Sequence, residues 1–173
     1  MNVDLGSDSV QFVAWKAQEK SWWIDGENCG LTKILVDVDS LKIGQGKLQA
    51  GVAPEWIWNE NTNDKTKLQD GYKKAFSIQI YVSEKHGSPV SEVREWSTNQ
   101  RASRDAVQEL LKDVKKSEPG KWAIISLNGS KLQQFGEAQV NVPILKFDGW
   151  TKAPKQEETP PPPPKTDDDV EFE

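Results

Sequence analysis

The sequence predicts a mainly β fold with one amphipathic helix, followed by a disordered tail. Three observations predict it. Apolar and polar residues alternate with period two in segments spread over residues 9–147, the mark of half-buried strands. Helical spacing stands out once, at Ala106, Val107, Leu110, Leu111 and Val114. Beyond residue 153 the large apolar residues give way to proline and acid.

The elements follow in order. Residues 9–15 read as a strand, with Val10, Phe12 and Ala14 alternating against Gln11, Val13 and Trp15. Residues 32–38 place Thr32, Ile34, Val36 and Val38 on one side, and Gly44, Gly46 and Gly51 then punctuate a hairpin region. Residues 75–82 are the clearest strand: Phe76, Ile78, Ile80 and Val82 face a core, and Ser77, Gln79 and Tyr81 face outward. The helix spans about 102–116, with Asn99 or Ser103 as its cap and Pro119-Gly120 as its stop. Residues 121–127 form a strand that ends in the two-residue turn signal Asn128-Gly129, and a last strand covers about 138–147. Pro143 puts that strand at an edge or a bulge. Several strands, a helix, then two or three strands is the order of an oligonucleotide-binding (OB) barrel, whose helix lies between its third and fourth strands. An OB-like small barrel is therefore expected for residues 1–153, although an α+β sandwich shares the order.

Residues 154–173 are a different kind of chain. Pro160–Pro164 cannot join a sheet or a helix interior and favour an extended spacer. Residues 155–173 hold two lysines against seven acids, a net −5 equal to that of the whole chain. The body is thus neutral, and the low pI of about 5.1 belongs to the tail. Such a composition is expected to be disordered when unbound.

Charge and composition exclude several function classes. One Cys (Cys29) and one His (His86) rule out a disulfide framework and a multi-cysteine zinc site. No run suits a membrane span, and the N-terminus lacks a signal-peptide pattern, so a reduced, soluble, intracellular protein is expected. His86 lies in a turn-like SEKHGSP, Asp37 and Asp39 have no further acids beside them, and GQG at 44–46 has no phosphate-loop continuation. No catalytic set, metal or cofactor is expected.

Aromatic residues carry the positive signal. Eight tryptophans stand against five Phe and two Tyr, more than a core built on Leu, Ile and Val requires. Trp122 and Trp150 are the first core candidates. Trp22 and Trp23 are adjacent, so an extended chain turns one of them outward. Trp56 and Trp58 share a face in a polar stretch, Tyr81 lies on the polar side of its strand, and Trp96 shares a face with Arg94. Exposed rings near Lys73, Lys74, Arg94, Arg101 and Arg104 suit unpaired nucleobases, each stacked base contributing about 1–3 kcal/mol while cations follow the phosphates. A sugar's apolar face would suit the same rings.

The C-terminus adds a motif. Its end, DDDVEFE, resembles the acidic tip of bacterial and phage single-stranded DNA-binding proteins. On that resemblance Asp167, Asp168 and Asp169 match the acidic run, Val170 the aliphatic position and Phe172 the aromatic anchor. It departs from the pattern at Glu171, where the family has Pro, and at Glu173, which follows the Phe. The resemblance implies an OB fold, low-specificity binding of single-stranded DNA in replication, recombination or repair, and a tail that recruits replication or repair proteins. It places the protein in the cytoplasm of a bacterium or phage-infected host, with no membrane partner, and homo-oligomerisation would enlarge so small a binding surface. The rival readings are a carbohydrate-binding or structural phage module, and an acidic protein that occupies the DNA site of a partner.

Overall fold

The period-two pattern becomes sheet almost wherever it occurs. The computed structural model describes residues 13–114 and 118–154. Among these are nine strands and one α-helix: β1 (Val13–Lys16), β2 (Ser21–Ile24), β3 (Glu27–Cys29), β4 (Lys33–Gln49), β5 (Val52–Trp58), β6 (Lys73–Val82), β7 (Glu92–Thr98), α1 (Arg101–Asp113), β8 (Lys121–Phe135) and β9 (Ala138–Lys152). No described helix is long and apolar enough to cross a membrane. The segment 155–173, with the proposed linker and acidic tip, lies outside the described residues.

The main sheet runs β7-β6-β4-β8-β9, antiparallel throughout, with β5 paired to β4 off this path. β4 organises it. The N-terminal half of β4 pairs with β8, its C-terminal half pairs with β5, and β6 runs along its other side with a register shift between Asp37 and Lys42. A long strand that bulges and changes partner bends the sheet over one core. Along the five-strand path the helix follows the third strand in sequence and precedes the fourth, the OB-like order.

The mainly β fold with one helix is as expected, and its sheet is open rather than closed into a barrel. No ladder joins the end strands β7 and β9. The separate meander β1-β2-β3 stands between them instead, with β1 against β7 and the 3₁₀ turn Ala17–Glu19 against β9. Trp15 Nε1 donates to the Asn141 carbonyl at 3.0 Å, and Asn141 Nδ2 donates to the Ala17 carbonyl at 2.9 Å. These bonds tie β1 and the 3₁₀ turn to β9.

The core lies on the inner face. Phe76, Ile78, Ile80 and Val82 of β6 are all buried, and α1 adds Ala102, Ala106, Val107 and Leu110. An aromatic chain runs through it: Trp15 to Trp22 at 5.2 Å, Trp22 to Trp96 at 5.1 Å and Trp96 to Phe76 at 5.1 Å between ring centroids. Burying one indole, roughly 200 Å² at about 25 cal/mol/Å², contributes at most about 5 kcal/mol. Trp150 packs against this core as expected, whereas Trp122 is half-buried on the outer face.

Three local expectations are corrected. Asn128-Gly129 does not turn the chain: β8 continues through it to Phe135, with a register shift between Leu127 and Ser130. Gly129 takes φ +76, a left-handed geometry that serves a bulge as well as a turn. Gly44 and Gly46 lie inside β4, and the hairpin turns near Gly51 instead. The helix N-cap is Gln100, while Asn99 Nδ2 bonds the Gly46 carbonyl and Ser103 is buried in the first turn.

Candidate nucleic-acid interface

The β4–β5 hairpin builds the most distinctive surface. Its register sets Gly44 opposite Trp58 and Gly46 opposite Trp56, so two glycines lie directly beneath two indoles. A Cβ on Gly46 would strike the Trp56 ring, and one on Gly44 would strike the Ile57 carbonyl and come within 2.8 Å of Trp58 Cα and 2.9 Å of its Cε3. Only hydrogen at those positions lets the rings settle onto the strand. The indoles stack on each other with centroids 5.3 Å apart and planes 12° apart, and both stay half-buried.

Beyond the pair the outer face is low. Across β4 and β6, Gly44 is flanked by Ala75 and Lys42 by Ser77, and Ser77 is flanked in turn by Ser97 of β7. Ser97 Oγ lies 2.7 Å from Ser77 Oγ and bonds the Glu95 carboxylate. Lys73, opposite Gly46, and Lys42 are exposed on this same face. The result is a shallow floor of small residues with stacked indoles along one side and lysines at its margins. Flat π surface beside mobile cations is what an unstacked base and its phosphate require.

The remaining candidates divide. Lys74 follows Lys73 and therefore points to the other side of β6, where it lines a mouth with Arg101 and Arg104 beside α1. The guanidinium of Arg101 also sits 4.4 Å over the Phe135 ring. Trp23 is half-exposed, but Lys16 Nζ already covers its ring at 3.7 Å, and its Nε1 donates to Ser21. Tyr81 is half-buried on the outer face, at the end of β6 away from the indole pair.

Three candidates leave the surface altogether. Trp22 (5% exposed) and Trp96 (1%) belong to the aromatic core chain. Arg94, 6% exposed, is held in ion pairs with Asp25 and Glu92. The sharing of a face by Trp96 and Arg94 was read correctly, but that face is the inner one. The tail residues Asp167, Asp168, Asp169, Val170 and Phe172 lie outside the described residues.

Gly44, Gly46 and Lys42 were missed as residues of this surface. The first two had a signal: positions 44 and 58, and 46 and 56, are symmetric about Gly51, so a hairpin centred there pairs each glycine with a tryptophan. Arg104, expected among the cations near exposed rings, lies instead with Lys74 and Arg101 at the mouth beside α1.

Other chemistry is thin among the described residues. No group of three or more His, Cys, Asp or Glu side chains could hold a metal ion. Burial, then the charge of Glu27, pushes the Cys29 thiol above its ordinary value, the reverse of activation. Burial likewise raises the Asp37 carboxyl. No family model matches the chain, and no curated protein or solved structure matches it.

Proposed function

We propose that the protein binds single-stranded DNA with little sequence preference, through the outer face of β4, β5 and β6, and acts in DNA replication, recombination or repair. The observation that carries this is the stacked, half-exposed Trp56–Trp58 pair seated on Gly44 and Gly46 with Lys73 alongside. Bases stack on the indoles, phosphates meet Lys73 and Lys42, and the glycine floor keeps the rings fixed before a ligand arrives, which lowers the ordering cost of binding. The acidic tip would recruit replication or repair proteins, in the cytoplasm of a bacterium or phage-infected host. The test is a fluorescence titration with oligo-dT. Quenching that salt reverses supports the reading; no quenching by oligo-dT, with a response to an oligosaccharide, replaces it with sugar binding.

A further inference from the structure

A second concavity lies on the opposite side of β6, under α1. It encloses about 460 Å³. Its floor is apolar, from Leu41, Ile43, Phe76, Val107 and Leu111. Its rim and the adjoining mouth carry four cations, Lys65, Lys74, Arg101 and Arg104, against two carboxylates, Asp64 and Asp105.

Arg104 is short of a counter-charge. Among the described residues its Nε is buried without a hydrogen-bond partner. Burial first, then the neighbouring Arg101, pushes its guanidinium below the ordinary value, and only Asp105 opposes them. An oily floor under an under-neutralised cationic mouth fits an apolar side chain preceded by carboxylates, and it repels a plain polyanion from the floor as well as a plain hydrocarbon from the mouth.

The chain carries such a segment: Asp167, Asp168, Asp169, Val170, Glu171, Phe172, Glu173. We propose that the cleft between α1 and the inner side of β4 and β6 is the docking site of the chain's own acidic tip, with Phe172 on the apolar floor and the aspartates at Arg104, Arg101 and Lys74. Length permits it. The thirteen residues 155–167 span about 40 Å at roughly 3 Å each, more than the diameter of a body this size, whose radius of gyration is about 15 Å. The tip leaves from β9, the strand on which α1 packs. Because Lys73 and Lys74 point to opposite sides of β6, the docked tip and the indole face do not share a surface. Docking is thus independent of whether the indole face binds DNA.

The test uses the full-length chain and its Phe172→Ala variant, compared by amide and indole NMR at low salt. Equal urea midpoints of the two proteins serve as the control for folding. The resonances of residues 74–76 and 104–111 should move on substitution, and about 0.5 M salt, which screens charges beyond roughly 4 Å, should move them in the wild type in the same direction. The Trp56 and Trp58 indole signals should stay in place, and oligo-dT should leave the wild-type-to-variant difference intact. Unmoved cleft resonances would overturn the proposal. So would movement at the Trp56 and Trp58 indoles, a difference that oligo-dT erases, or one that disappears on dilution, which would assign the docked tip to a neighbouring copy.

Discussion

Two groups of tryptophans in this protein do opposite work. Trp15, Trp22 and Trp96 form a buried chain that ends on Phe76, each ring tilted or edge-on to the next. Trp56 and Trp58 lie parallel, half in water, over two glycines. The difference is made by what stands opposite. Trp22 faces Cys29 and Trp15 across its strands, and Trp96 faces Ile78, so bulk meets bulk and the rings are enclosed. Across from Trp56 and Trp58 there is no side chain at all, and the rings lie down on backbone. A tryptophan is thus a core residue or a platform according to its cross-strand partner.

The largest expected effect belongs to the buried chain. Trp96→Ala should cost about 3–5 kcal/mol of stability, read as a lower urea midpoint with an unchanged slope, while the folded fraction keeps its oligo-dT affinity. A fall in affinity at full folding would blur the distinction between the two groups. Arg94→Ala should cost about 2 kcal/mol, because Asp25 and Glu92 lose a charge-assisted partner but remain partly hydrated. It too should leave affinity untouched, contrary to the role first expected of Arg94.

The glycines divide stability from binding within the platform itself. Gly44→Ala collides with the backbone of Ile57 and Trp58 and should lose about 1–3 kcal/mol by displacing β5. Gly46→Ala strikes the Trp56 ring first, a side chain that can yield where backbone cannot, so urea unfolding should change little while oligo-dT affinity falls. The smallest effect concerns Cys29, beside Trp22 on the buried side. Its raised thiol means less thiolate at neutral pH, so alkylation should be slow and should keep rising with pH past the point where an ordinary cysteine levels off. Bound oligo-dT should not alter that rate; protection by oligo-dT would place the ligand on the wrong side of the molecule.

Much of the fold was legible because local pattern and tertiary position agreed. β6 alternates without interruption, and α1 is the one segment with helical spacing, so both formed where expected. Asn128-Gly129 was misread because a turn signal reports only a left-handed glycine, which a bulge also uses. The open edge between β7 and β9 was not legible, since the meander that bridges it is held to β9 by bonds from Trp15 and Asn141 and to β7 by the packing of β1. Of the candidate surface, Trp56, Trp58 and Lys73 were named from sequence alone. Trp22, Trp96 and Arg94 were misassigned because alternation tells which residues share a face and not which face is inner. The split between Lys73 and Lys74 follows from the pleat and was there to be read.

The most direct test is equilibrium binding of labelled oligo-dT to the Trp56→Ala, Trp58→Ala double variant, with near-native circular dichroism and urea midpoint as the control for folding. The loss of two stacking surfaces should weaken binding by about 2–6 kcal/mol, at least some thirtyfold by the usual 1.4 kcal/mol per decade. Binding as tight as that of the wild type, in a protein that remains folded, would contradict the account.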